Sequence, residues 1–588
     1  MKKNYINPVL FADYSDPDVI PVGDLFLLTA SSFNYTPGLP ILLSRDLTEW
    51  TLVDHAVENL GEGFENPRHS QGVWAPSVRY FHERLHIYYG MPDEGLFVVR
   101  SSRFRQEEIK TYEDYEQNVR WEKPVCVLAG KGLIDPCPFM EEDGRLFLIH
   151  AYAKSRIGFK SILGMCELSG DGLRAVSADH FIVNGNLVDA SMRENRNLLF
   201  AGGVGEKPDE HTAPAVTMEG PKVMKRGGFY YILAPAGGVT RGYQLCLRAQ
   251  KLQGPYECRV ILHQGDTIIN GPHQGALVET KAGEEFFLHF QDLGPYGRVC
   301  HLQPVTWKEG WPVFGETKDN DTCGIPVRGG CVEVTEPAKK DPFADRLYEL
   351  NTYLNGTART DSYDSLVRGG KIDLHWQWMG DHRTDFYRID VPVETGEGEA
   401  DLYLRALNVT GSADPVLWNC SNVLTRKLDL PEFAFDLCMD VRNLLPGDRA
   451  GLMMTGGQYA FAECIREEDG TFTLRAGKSL GGDQDKRESF CPLQEKIDPK
   501  DLQDGCIRFS LQYHRTSGEP LSTYMNVREE KPVAVFSCST DKGATSCPAG
   551  EPFIPQDHTW VGAKIGIYAV SHKKEGGWIR IVSTSATR

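Results

Sequence analysis

Residues 16–32, DPDVIPVGDLFLLTASS, carry the pattern on which the fold turns. A polar or small residue leads, a short apolar run follows, a glycine turn reverses the chain, and an apolar strand ends in small polar residues. The same pattern returns at Ala75 (APSVRYFHERLHIYYG), Asp135 (DPCPFMEEDGRLFLIHAYA), Glu219 (EGPKVMKRGGFYYILAPAGG) and His273 (HQGALVETKAGEEFFLHFQD). The starts are 59, 60, 84 and 54 residues apart. Helical periodicity is nearly absent, and the runs between copies are short, β-branched or aromatic, and bounded by Gly, Pro and Asp. Glu142-Asp143-Gly144, Arg226-Gly227-Gly228 and Ala282-Gly283 supply hairpin turns that tolerate positive φ. Five copies of a hairpin unit at this spacing indicate five four-stranded sheets set radially, a five-bladed β-propeller.

In a propeller the first strand of each blade lines the central channel, so equivalent positions meet on the axis. The leading position holds Asp16, Ala75, Asp135, Glu219 and His273. A single Asp-Pro reads as a turn; three carboxylates in one repeat phase read as a site. Crowded carboxylates cannot all ionise, so at least one should hold its proton near neutral pH. Two carboxyls with separated pKa values serve as acid and base in glycoside cleavage, with the third tuning the acid. A metal site is the competing use of such a cluster. Phe33 in SSFNYTPG and Trp74 in GVWAPS flank inner strands and should rim the pocket, where sugar rings stack on aromatic faces. Arg298, in YGRVCHLQP, offers forked donors to sugar hydroxyls.

The 588 residues include 63 Lys+Arg and 81 Asp+Glu, a formal charge of −18. That charge repels phosphate backbones and anionic lipid, so neither nucleic acid nor a membrane surface is expected as partner. A neutral oligosaccharide is. Fifteen cysteines are scattered without a CxxC pair, which reads as reduced, buried thiols. The start MKKNYINP lacks an apolar signal region and no stretch approaches 18 apolar residues, so a cytoplasmic protein is expected.

NPVLFADYSDPDVI, QGVWAPSVRY, KGLIDPCPF, EGPKVMKRGGFYYILAPAGG and NGPHQGALVET, in this order over residues 7 to 315, resemble glycoside hydrolase family 43. The resemblance implies a propeller enzyme that hydrolyses with inversion. By position, Asp16 matches the general base, Asp135 the pKa modulator and Glu219 the general acid. His273 and Arg298 match positions near the channel centre and the sugar subsite. It also implies exo-release of β-D-xylose from xylo-oligosaccharides, with α-L-arabinofuranosidase the alternative and a non-catalytic carbohydrate-binding propeller the lesser one. No cofactor is required, and a structural Ca²⁺ near His273 is compatible with the reading.

The texture changes after residue 316. Residues 317–360 read as a polar, turn-rich linker. Asp319, Asp321 and Gly324 hint at a calcium loop, but Gly330 stands where an EF-hand needs Glu. Residues 361–588 alternate as short strands, among them KIDLHWQWMGD, FAFDLCMDV and CIRFSLQYH, the mark of a β-sandwich. LHWQW, LWNCSNVLTRKL and GDRAGLMM resemble the concanavalin A-like, jelly-roll domain appended to family 43 xylosidases. A packing partner that walls the pocket is favoured over a carbohydrate-binding module.

Overall fold

The computed structural model describes residues 2–187, 198–200, 215–317, 323–333, 366–391, 400–480, 486–516, 531–541, 543 and 545–587. Its first half is the five-bladed propeller. Blade one comprises Asp18–Val22, Leu25–Thr29, Gly38–Ser44 and Thr51–Val57. Blade two comprises Trp74–Phe81, Arg84–Met91, Gly95–Arg100 and Val125–Ala129, and blade three Leu133–Met140, Leu146–Tyr152, Ile162–Leu168 and His180–Asn184. Blade four holds Lys222–Arg226, Phe229–Ala236, Tyr243–Ala249 and Tyr256–Leu262; a fifth strand, Leu198–Phe200, runs parallel to the last of these. That extra strand belongs to the insertion that lengthens the repeat spacing to 84 residues. Blade five holds His273–Glu279, Glu285–Asp292, Arg298–Lys308 and Trp311–Phe314.

Innermost strands touch in order from blade one to blade four and again from five to one, and the inner strand of blade five meets the second and third strands of blade four, which closes the ring. The middle strands are buried on both faces, so LFLLT, LFLIHAY and the core of FYYILAPA read as continuous apolar runs rather than as alternation. Closure is made by the amino-terminal segment. Leu10 exchanges backbone hydrogen bonds with Cys300, and the Tyr14 N–H donates to Arg298 O at 2.9 Å. Lys2–Ile6 pairs with Gly329–Glu333, and Gly324 bonds to the backbone at Ile261 and His263. Residues 323–333, within the stretch read as linker, are therefore strapped to the propeller; 318–322 and 334–360 lie outside the described residues, Asp319 and Asp321 among them.

The second half is a β-sandwich. Most of its strands form one continuous hydrogen-bonded path whose two ends, Phe472–Leu480 with Arg487–Ile497 and Cys547–Phe553, come into contact. Strands such as Phe433–Asp440 and Cys506–His514 alternate buried and less buried residues, with one face in a core that includes Trp376, Phe435, Leu452, Phe509 and Ile567. The opposite face of the sheet bearing Met453, Phe461 and Tyr568 packs on Phe33 and Tyr35 of the propeller. Thr36 and Trp378 exchange backbone bonds at 3.0 and 2.6 Å, and the Leu60 and Gly61 N–H groups donate to Asp381 at 2.6 and 2.7 Å. Most of the fifteen cysteine side chains are buried. Among the described residues, no helix is long and apolar enough to cross a membrane.

Candidate active site

Every innermost strand enters through a bulge. Trp74 faces Gly90 but Ser77 faces Tyr88; Ile134 faces Ala151 but Cys137 faces Ile149; His273 faces Phe290 but Gly275 faces His289. The same one-residue slip separates Ser15 from Asp18 and Glu219 from Lys222, judged by the bonds to Ser31 and Pro235. The inserted residue is left-handed in each blade: Asp16 (φ 55°), Ala75 (33°), Asp135 (55°), Gly220 (55°) and Gln274 (55°). In four blades proline follows it, at Pro17, Pro76, Pro136 and Pro221.

This corrects the phase of the repeat. The equivalents of Asp16 and Asp135 are Gly220 and Gln274; Glu219 and His273 stand one residue earlier, level with Ser15, Trp74 and Ile134. A bulge re-aims side chains around the extra residue, so both phases can feed one pocket. Holding an aspartate rather than a glycine at positive φ costs about 1–3 kcal/mol, a strain that clusters at functional sites.

Asp16 is buried and accepts three side-chain hydrogen bonds: from Ser31 Oγ at 2.6 Å, Ser15 Oγ at 2.9 Å and Arg298 Nη1 at 3.2 Å. Ser31 Oγ in turn accepts the Ala75 N–H at 2.7 Å, and Arg298 also donates to Ser15 Oγ at 2.5 Å. Asp135 Oδ2 accepts the Gly220 N–H at 2.8 Å, which ties the third blade to the fourth beside Glu219. Burial and the Asp16 charge push the Asp135 carboxyl up to about 7. Burial, then Asp135 and Asp16, push Glu219 up to about 8, against the pull of Arg298 and Lys160. Three carboxylates with so few cations must hold a proton at neutral pH.

His273 donates from Nδ1 to Gly271 O at 2.6 Å, leaving Nε2 as an acceptor. Burial, reinforced by Arg298, brings its pKa down to about 4, so it is neutral. The structure thus brings Asp16, Asp135, Glu219, His273 and Arg298 into one electrostatic unit. Trp74 is half-buried, its indole N–H bonded to Ser70 O at 3.0 Å. Phe33 is buried, as the axis residues are, and packs in the apolar seam with Tyr35, Trp418 and Val561, on the blade-one loop where the sandwich docks. Among the described residues no three His, Cys, Asp or Glu side chains are grouped as metal ligands.

Sequence reading missed Ser15 and Ser31, which orient Asp16, and Phe290, whose ring lies 4.6 Å from the Arg298 guanidinium. The Ser15-Asp16 pair and the small polar end of the second strand were visible signals. It also missed Trp560 of the sandwich, 41% exposed, whose ring lies 5.2 Å from the same guanidinium.

A five-bladed propeller that gathers three carboxylates, an arginine and a neutral histidine on its axis defines the acid–base class of site that glycoside cleavage requires. Residues 5–312 match the family model for glycosyl hydrolases family 43, and residues 368–581 match that of the beta xylosidase C-terminal concanavalin A-like domain. The chain belongs to glycosyl hydrolase family 43. It is similar to a putative beta-xylosidase of Xylanibacter ruminicola, 32% identical over 366 residues, 62% of this chain and 57% of that protein. A beta-xylosidase of Formosa agariphila is 24% identical over 603 residues, 98% of this chain and 89% of its own length. A non-reducing end alpha-L-arabinofuranosidase of Bacteroides ovatus is 26% identical over 445 residues, 70% of each chain. The crystal structure of xylan beta-1,4-xylosidase from Bacillus halodurans shares the fold, with a TM-score of 0.72 at 18% identity over 99% of this chain and 100% of that one.

Proposed function

We propose that this protein is an exo-acting, inverting glycosidase that releases terminal β-D-xylose from xylo-oligosaccharides. Asp16 takes a proton from a water molecule as that water attacks the anomeric carbon. Glu219 gives its proton to the departing glycosidic oxygen, and Asp135 keeps that proton on Glu219 until it is needed. Arg298, the acceptor nitrogen of His273, Trp74 and Trp560 bind the sugar. The observation that carries this reading is the split within the cluster: Glu219 is raised to about 8 by burial and its carboxylate neighbours, while Asp16 is held by three donors that leave its oxygens acting as acceptors. A carboxyl that keeps its proton beside a carboxylate that accepts is the pair glycoside hydrolysis uses, and a single displacement further needs room for a water between them. Both of the Formosa and Xylanibacter relatives carry beta-xylosidase in their names.

The second reading is α-L-arabinofuranoside cleavage by the same groups, supported by the name of the Bacteroides relative. Paired assays with 4-nitrophenyl β-D-xyloside and α-L-arabinofuranoside, followed by xylo- and arabino-oligosaccharides, separate the two. The first reading expects the xyloside to be preferred and the newborn sugar, seen by NMR, to have the opposite anomeric configuration. Hydrolysis of neither glycoside would sink both. No metal takes part in these steps, so activity is expected to survive exhaustive chelation.

A further inference from the structure

The sandwich reaches the sugar pocket through the loop His558–Ala563, and that loop rests on a carboxylate outside the catalytic set. Asp13 lies three residues before Asp16 and is 5% exposed. Its Oδ1 accepts the Arg298 N–H at 3.0 Å. Its Oδ2 accepts the Gly562 N–H at 3.0 Å and lies 3.7 Å from Nζ of the buried Lys564. One side chain therefore holds the backbone of the arginine that grips Asp16 and the backbone two residues beyond Trp560.

The junction leaves no slack. A Cβ on Gly562 would stand 2.6 Å from Gly297 N, and one on Gly297 would stand 2.3 Å from Asp13 Cγ. The Ala563 N–H donates to Pro295 O at 2.7 Å, and Ser70 Oγ donates to Thr559 O at 2.5 Å. Within this clamp Trp560 keeps a left-handed backbone (φ 71°) and an exposed ring beside the Arg298 guanidinium. A bulky residue does not adopt that conformation in a slack loop, so the clamp determines where the ring sits.

We propose that Asp13 is a positioning residue through which the C-terminal domain sets sugar recognition: it fixes Arg298 and Trp560 relative to each other and to Asp16. An asparagine is the same size but presents one acceptor oxygen and an NH₂ group, so it cannot accept from both N–H groups at once. The kinetic half of the test rests on the glycosidase reading; the spectroscopic half does not.

In the full-length chain, Asp13→Asn should raise KM for the oligosaccharide about tenfold with kcat changed less than about threefold, the split expected of lost binding geometry. In a Trp560→Ala background the same substitution should raise KM less than about threefold, because groups acting through one another are non-additive. Gly562→Ala, which wedges the loop off the Gly297 turn without altering Asp13, should reproduce the KM rise, and it carries the test if Asp13→Asn does not fold. Independently, the emission of Trp560, isolated as the difference from the Trp560→Phe partner of each variant, should become more open to iodide quenching. KM effects of Asp13→Asn and Trp560→Ala that multiply, or a Trp560 whose quenching is unchanged in a folded Asp13→Asn or Gly562→Ala variant, would overturn the proposal. Quenching needs no substrate, so a chain inactive on glycosides but with loosened Trp560 would fault the substrate assignment and uphold the coupling.

Discussion

The propeller axis and the sandwich each bury a cluster of charges, and they are built on opposite terms. In the sandwich, Glu463 meets Arg475 at 2.6 Å and Arg449 at 3.5 Å, and Glu488 meets Arg449 at 2.9 Å. The other oxygens of the two glutamates accept the hydroxyls of Tyr568 and Tyr459, both at 2.8 Å. On the axis three carboxylates face one hydrogen-bonded arginine, and burial with mutual repulsion raises Asp135 and Glu219 until the cluster holds a proton. A network whose oxygens all have donors stiffens a fold. A cluster with more carboxylates than cations stores a transferable proton, and that is the mark of a site.

Substitutions that break this contrast should act on different quantities. Asp16→Asn removes the proposed base and should lower kcat/KM by about 10²–10⁴ on every glycoside with the melting temperature little changed. Arg449→Met should do the reverse: it leaves buried Glu463 and Glu488 short of a partner, costing about 3–5 kcal/mol of stability in a denaturant titration, with kcat/KM of the folded protein nearly unchanged. Asp135→Asn sharpens the axis itself. The Asp135 charge is one of the causes that raise Glu219, so its removal makes the Glu219 carboxylate easier to form. The proton is then lost at lower pH, and the alkaline limb of kcat/KM should move towards neutrality; an unmoved limb would deny the coupling. Trp560→Ala, at an exposed ring, should raise KM about tenfold, or about 1.4 kcal/mol, with little change in stability.

The propeller was legible because its repeat is local: an inner strand, a turn and an apolar strand lie within about twenty residues of sequence each time. That was enough to single out Asp16 over Asp13 and Asp18 as the candidate base and to bring Asp135 and Glu219 to it. The one-residue slip at Glu219 and His273 was not recovered, since the leading polar residue was aligned instead of the left-handed residue. The recurring proline at Pro17, Pro76, Pro136 and Pro221 was the signal that would have set the phase. That the Phe33 loop is also where the sandwich docks is not visible in the sequence. Trp560 and Asp13 were beyond reach for the same reason: Asp13 and Gly562 are 549 residues apart, and nothing periodic in DHTWVGAK marks a residue that meets the propeller only after both domains fold. The sandwich's own strands were legible from alternation, but alternation specifies a core, not the surface that reaches a neighbour's site.

The claim that the axis stores a transferable proton on Glu219 is tested most directly by the leaving-group dependence of Glu219→Gln. The account predicts a loss of about 10²–10⁴ in kcat/KM on an unactivated xylo-disaccharide, whose departing oxygen needs that proton, and a much smaller loss on an aryl xyloside with an acidic leaving group. Near-wild-type hydrolysis of the disaccharide, or equal losses on both substrates, would contradict it.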